Sequence, residues 1–260
     1  MENKEIPEIF KYTKPAFPED CIFNISPSQI DTFFSCPKIW CEENLLGKEK
    51  SFQGSTSSVM GTICHHIYKS VTLQEPITRE KINLQLDKYN ELKPELELDV
   101  DQTKIDYPLV STEVVNSYII PSDKKGCLIK VEQPIVAKVT SGIYVGGTYD
   151  RLEGDCIVDY KNVSTKPNDT TIPFNYKIQL LAYAYALRQK GHEVNRIRLV
   201  YGIKPTKTIP ARCIVVTESI DYVAEKLIKD TLHLIAESVL KVKEDPSLMY
   251  LIFKSMDLKQ

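Results

Sequence analysis

Gly146-Gly147-Thr148-Tyr149-Asp150-Arg151-Leu152-Glu153-Gly154-Asp155-Cys156-Ile157-Val158-Asp159-Tyr160-Lys161 reads as two extended runs joined by a hairpin break at Glu153-Gly154. Side chains alternate across a strand, so Asp159 and Lys161 share one face while Val158 and Tyr160 occupy the other. A further β-branched run precedes them. The runs near 128–139, 143–152 and 155–163 are separated by Ser141-Gly142 and Glu153-Gly154. Short glycine breaks between alternating runs predict an antiparallel meander.

After this centre comes a helix over 174–190 with Gly191 placed for its C-terminal cap, strands at 197–203 and 213–216, and a long last helix over 222–243. Before it the chain reads as helical. Ser26-Pro27-Ser28-Gln29 supplies an N-cap, a proline at the first helical position and a capping-box Gln, and Pro37 ends that helix and opens another with Ser35 as cap. Gln53 to Ser58 is a polar loop leading into a helix over 58–73, where Val59, Met60, Ile63, Ile67 and Val71 form one apolar stripe. His65 falls almost opposite that stripe, in line with Gly61 and Thr72. Helices are also expected over 78–92 and 108–120. Residues 1–20 carry Pro7, Pro15 and Pro18 without any periodicity, and read as an arm laid on the surface or disordered.

Strands in the middle with helices on either side predict an α/β (α+β) fold, a central mixed, largely antiparallel sheet flanked by helices. The expected organisation is one domain over 21–260, with a helical front half (26–120), a core (128–217) and a terminal helix (218–245). The 260 residues, 42% of them hydrophobic, suit such a core and exclude collagen, coiled coil and wholesale disorder. No apolar run approaches the roughly 20 residues of a membrane helix, and the start lacks the apolar centre of a signal peptide. The chain is therefore expected in the cytoplasm, that of the host if it is phage-encoded. Its 7 cysteines are scattered without a CxxC pair, which favours reduced thiols over disulfides or structural zinc. A net charge of -2 removes the simplest signature of nucleic-acid binding, so a polyanionic partner would need local patches or metal ions.

The chemistry concentrates at the hairpin. Asp159 and Lys161 lie side by side, and Asp150, on the preceding strand, can bring a second carboxylate to them. Two close carboxylates repel each other unless a cation sits between them, and oxygen donors suit a hard ion such as Mg2+. Metal-assisted phosphoester hydrolysis is the natural reaction class.

The pattern Asp150…Asp159-Tyr160-Lys161 resembles the PD-(D/E)XK nuclease core, with its restriction-endonuclease-like fold, and within it the RecB-like branch of the phage lambda exonuclease and CRISPR-associated adaptation nucleases. Ser26-Pro27-Ser28-Gln29 through Cys36-Pro37 resembles that branch's opening segment, Gly61-Thr62-Ile63-Cys64-His65 its GxxxH helix, and Gln179-Leu180-Leu181-Ala182-Tyr183 its QxxxY motif, in this order along the chain. The resemblance implies Mg2+ or Mn2+ bound by His65, Asp150, Asp159 and the Tyr160 backbone carbonyl, with Lys161 positioning or activating the attacking water. It implies that Gln179 and Tyr183 orient Lys161 and touch DNA near the scissile phosphate, and that Glu132 is an outer-shell carboxylate. Some relatives hold an iron-sulfur cluster through one early and three late cysteines. Cys36 matches the early one but no cysteine follows Cys213, so no cluster is expected and Cys36 reads as a buried small hydrophobe.

An isolated Asp-Tyr-Lys on a strand is ordinarily a solvated edge; the flanking motifs reverse that balance. Lys124-Lys125, Lys161, Lys166, Lys177, Arg188, Arg196 and Arg198 are candidates for a phosphate track, against the default of scattered surface charge. Tyr176, Tyr183 and Tyr185 are candidates for base stacking, against a place in the core. The sequence is thus expected to encode a Mg2+- or Mn2+-dependent DNase, an exonuclease acting on ends or single strands in recombination, repair or phage DNA processing, with a recombination or single-strand-annealing protein as a candidate partner. The rival reading is a non-catalytic DNA-binding or assembly module on the same fold.

Overall fold

The computed structural model describes residues 5–11, 13–50, 54–123 and 126–249; Gln53, Lys124 and Lys125 lie outside them. Strands β1 (Phe23–Ile25), β2 (Ile129–Thr140), β3 (Ile143–Glu153), β4 (Cys156–Val163), β5 (Arg196–Ile203) and β6 (Arg212–Ser219) form one mixed sheet. The helices are α1 (Ile30–Ser35), α2 (Pro37–Asn44), α3 (Thr56–Leu73), α4 (Arg79–Leu92), α5 (Val100–Val114), α6 (Ile120–Asp123), α7 (Phe174–Gln189) and α8 (Tyr222–Glu244). Among the described residues no helix is long and apolar enough to cross a membrane.

The meander forms as its turns require. Gly142 and Gly154 take φ of 70° and 59°, the left-handed conformation that glycine adopts without strain, and β2, β3 and β4 pair antiparallel around them. β4 then pairs parallel with β5 through α7, and β5 antiparallel with β6. β1 was not legible in the sequence: three residues long, it lies parallel to β3 at Ile143 to Val145. β3 therefore carries β2 along one side, and β1 and β4 at opposite ends of the other.

Each face of the sheet buries its own core. Ile157, Ile197, Leu199 and Tyr201 pack with α7, α8 and α1, whereas Cys156, Val158, Tyr160 and Val200 pack with α3, α4 and α5. This is the period-2 alternation of strands covered on both sides. α7 is apolar nearly all round, with Ile178, Leu180, Leu181, Ala182, Ala184, Ala186 and Leu187 buried, because sheet, α1 and α8 all contact it.

Several boundaries differ from expectation. α3 starts at Thr56, where Ser55 and Ser58 form a reciprocal capping box. Ser26 makes no capping hydrogen bond: Pro27–Gln29 is a 3-10 turn and the α-helix begins at Ile30. Cys36, not Ser35, is the N-cap of α2, and it is exposed rather than buried, standing at the non-helical junction where α1 ends and Pro37 opens α2. The helix expected over 108–120 begins at Val100, capped by the Asp99 side chain on the N–H of Gln102, and carries Pro108 in its interior. Packing of Tyr107, Val110 and Val114 holds it through the proline, and a π-helical turn over Val115–Ile119 follows. The arm is ordered where described: Ile9 is buried and its N–H donates to Gln85 Oε1 at 3.0 Å, while Phe10 stacks on Tyr89 at 4.1 Å.

Candidate active site

The β3–β4 ladder stops at Arg151↔Val158. One step further the strands part, and the missing rung is supplied by a side chain: Asp150 Oδ2 accepts from the Tyr160 N–H at 2.9 Å. Asp150 therefore enters the site through the opening of the ladder and is fixed by backbone rather than by a flexible partner. Asp159, on the α7 face of β4, is 4% exposed. Its Oδ2 lies 2.8 Å from Lys161 Nζ, and its Oδ1 accepts from Gln179 Nε2 at 3.2 Å.

His65 reaches the same place from α3. Its Nδ1 lies 3.4 Å from Asp150 Oδ1 and its Nε2 3.1 Å from the Tyr160 carbonyl oxygen. Both ring nitrogens thus face acceptors, which only the imidazolium satisfies with two N–H groups. Burial alone would lower its pKa, but the Asp150 carboxylate outweighs that and raises it to about 9. Burial acts to raise Asp150, yet His65 and Lys161 hold it below the usual carboxylate range. Asp159 goes the other way: burial pushes it up to about 6, with Lys161 opposing and the charge of Asp150 adding. Burial disfavours the charge on Lys161 too, and Asp159 and Asp150 more than restore it.

The QxxxY motif divides its labour differently from expectation. Gln179 holds Asp159, not Lys161. Tyr183 is 6% exposed and its hydroxyl donates to the Thr148 carbonyl at 2.9 Å, bracing β3 two residues before Asp150. That approach requires Gly147, since a Cβ there would come within 2.8 Å of the tyrosine oxygen. Glu132 lies on β2 between the pairs Val131↔Arg151 and Gln133↔Tyr149, hence opposite Asp150. Its φ of 44° takes it out of the regular strand, and its carboxylate meets Lys69 Nζ at 3.0 Å.

Other expected cations are engaged elsewhere. Lys177 pairs with Glu218 at 2.6 Å, Lys166 with Asp169 at 2.8 Å and Arg188 with Glu225 at 3.2 Å; Arg196 pairs with Asp155. Arg198 lies 3.1 Å from the Tyr118 hydroxyl and 3.5 Å from Glu153. Tyr185 donates to the Lys138 carbonyl at 3.3 Å, away from the site. Tyr176, a stacking candidate in the sequence, places its ring 5.2 Å from Lys161 Nζ. Lys69 escaped the sequence reading, although it follows His65 by one helical turn, a spacing that could have revealed it.

Among the described residues no three His, Cys, Asp or Glu side chains converge as a metal-ligand set. The donor chemistry nevertheless suits a hard cation. A positive charge, the His65 imidazolium, already bridges Asp150 and the Tyr160 carbonyl, and the raised Asp159 carboxyl is one that a cation would help to ionise.

The sequence profile of the PD-(D/E)XK nuclease superfamily matches residues 24–246. No curated protein matches the chain. Among solved structures, the chain is similar to an alkaline exonuclease, LHK-Exo, from Laribacter hongkongensis, at 13% identity over 90% of this chain and 94% of that one, with a TM-score of 0.39. A structure of LHK-Exo in complex with dAMP is similar at 14% identity over 78% of this chain and 93% of that one, with a TM-score of 0.34.

Proposed function

The chain belongs to the PD-(D/E)XK nuclease superfamily, and from that premise we propose that it is a RecB-like, Mg2+- or Mn2+-dependent deoxyribonuclease that hydrolyses phosphodiester bonds at DNA ends or in single strands. The observation that carries the reading is the joining of Asp150, Asp159, Lys161 and His65 where the β3–β4 ladder opens.

Asp150, Asp159, the Tyr160 carbonyl and, once deprotonated, His65 are the groups that would hold the cation, which supplies Lewis-acid charge at the phosphate. Lys161 directs its ammonium at the attacking water and at the charge that develops on the phosphoryl oxygens. Its pKa, held up by two carboxylates, suits it to electrostatic positioning rather than to proton abstraction. Gln179 keeps Asp159 aimed beside Lys161, and the Tyr160 N–H fixes Asp150. Tyr176, across from Lys161, is the aromatic placed to meet a base at the reacting end.

The test is incubation with linear and circular DNA in Mg2+, Mn2+ or EDTA, beside Asp159→Ala and Lys161→Ala. Metal-dependent cleavage lost in both variants is the expected result. DNA that survives intact with metal, or variants that cut as well as the parent, would leave a non-catalytic binding module.

A further inference from the structure

Gln179, the side chain expected to orient Lys161, is taken up by Asp159. Lys161 Nζ lies 2.8 Å from Asp159 Oδ2, yet that oxygen is left without a hydrogen bond, so the pair is held by charge and not by a directed N–H. A second polar atom without a partner stands beside them. Tyr201 is 1% exposed, and its hydroxyl finds no hydrogen-bond partner among the described residues. β4 and β5 run parallel, with Lys161 directly opposite Tyr201 and Asp159 opposite Leu199. Neighbouring strands lie roughly 4.8 Å apart and paired residues face the same way, so Tyr201 shares the α7 face with Asp159 and Lys161. Tyr176 on α7 closes the group, its ring 5.2 Å from Lys161 Nζ. The electrostatics agree with this placement: burial raises the Tyr201 hydroxyl to about 12, with Tyr176 and Asp159 adding and Lys161 opposing.

We infer that Tyr201 is a positioning residue for Lys161: its hydroxyl oxygen is the acceptor that takes the Lys161 ammonium when Asp159 is committed to a cation. The inference rests on the nuclease reading above and adds to it the group that aims the lysine. A buried hydroxyl without a partner is destabilising, because it has left water and gained no bond in exchange. That cost is recovered in a state where the hydroxyl is bonded. An ammonium 2.8 Å from Asp159 Oδ2 meets like charge once that carboxylate binds a cation, and it then needs another acceptor. Two groups on this face can receive it. The Tyr176 ring offers a diffuse negative face, whereas Tyr201 Oη offers a lone pair in a fixed direction. A directed bond keeps the ammonium on the attacking water and on the developing phosphoryl charge instead of leaving it free to turn towards solvent.

The test is Tyr201→Phe in the full chain, which removes one oxygen and leaves the ring in place. In EDTA the variant is expected to melt at the same Tm as the parent or higher, since the lost hydroxyl has no bond to break. With Mg2+ and linear DNA its kcat should fall about ten- to a hundredfold, the size of one hydrogen bond to a charged group, at unchanged KM. The second readout needs no cleavage: the isotope-labelled Lys161 ammonium, identified by its loss in Lys161→Arg, is followed by NMR. On saturation with Mg2+ it should remain protected from exchange with water in the parent and lose that protection in Tyr201→Phe. A Tm clearly below the parent's in EDTA, an undiminished kcat, a loss confined to KM, or a Lys161 signal that responds to Mg2+ alike in both proteins would overturn the inference while leaving the nuclease reading intact. Cleavage by neither protein would overturn that reading, and the Lys161 signal would then decide the inference by itself.

Discussion

Asp159→Asn should abolish cleavage yet stabilise the metal-free protein. Burial holds the Asp159 carboxyl near 6 instead of its ordinary 3.8, a difference of about 3 kcal/mol against the folded state once the group is ionised. Asn removes that charge and keeps an oxygen for the Gln179 Nε2–H, so the one hydrogen bond survives. The attraction of Lys161 for the charge is already contained in that difference. The net gain is about 3 kcal/mol, or roughly 6–12 °C in Tm for a chain of this size. Because the folded-state pKa is raised, the favourable term in the parent is full below 3.8 and lost as pH rises through about 6. The variant's advantage should therefore be present near pH 8 and shrink towards pH 5. Thermal unfolding followed by circular dichroism in EDTA at the two pH values measures it. Added Mg2+ should raise the Tm of the parent and leave the variant unmoved, since a ligand stabilises only the state that binds it. A variant less stable than the parent at pH 8, or a gap that does not change with pH, would refute the electrostatic account of this site.

Other outcomes follow from the same contacts. With His65 raised to about 9, its pairing with Asp150 contributes stability that is full below 6.5 and disappears as pH rises through about 9; His65→Gln should cost about 3 kcal/mol at pH 6 and little at pH 10, read by urea unfolding in EDTA. The ring's own titration, followed by NMR, should move downward on saturation with Mg2+, because a ligating imidazole must be neutral. Gly147→Ala should displace the Tyr183 hydroxyl from the Thr148 carbonyl and cost about 1–3 kcal/mol in urea unfolding, for two polar groups left without their bond. Arg151, 0% exposed between Asp123, Glu153 and the Thr72 hydroxyl, should cost about 3–5 kcal/mol when replaced by Met, because Asp123 loses its cation and buried Glu153 one of its two.

The parts that the sequence made legible share one property: their signal is local. The Ser141-Gly142 and Glu153-Gly154 breaks mark two-residue turns that need φ above zero, so the meander could be read from them and the alternation around them. α3 and α8 carry side-chain caps and apolar stripes, and α7 is a long apolar run closed by Gly191. Where the signal pointed two ways the reading failed. Pro108 looked like a helix start, whereas burial of Tyr107 and Val110 against α3 carries the helix across it. β1 spans only three residues and is a strand because β3 offers it an edge, which no window around Phe23 can register.

From the sequence alone came the order of elements, the pairing of Asp159 with Lys161 on one strand face, and Asp150, His65, Gln179 and Tyr183 as the residues to join them. The order of elements, the Asp159–Lys161 pair and Asp150 follow from strand and helix periods, which are properties of the chain read one turn at a time; His65, Gln179 and Tyr183 are what the resemblance of the ordered motifs implied. Only the tertiary structure decided how they join: Asp150 substituting for a ladder bond, His65 between two oxygens, Gln179 on Asp159, Tyr183 on Thr148, and residues of the N-terminal arm lining the cavity beside His65 and Asp150. These contacts span tens of residues along the chain. Their charges are set by how much water the folded core excludes, and that is decided by packing from every side at once.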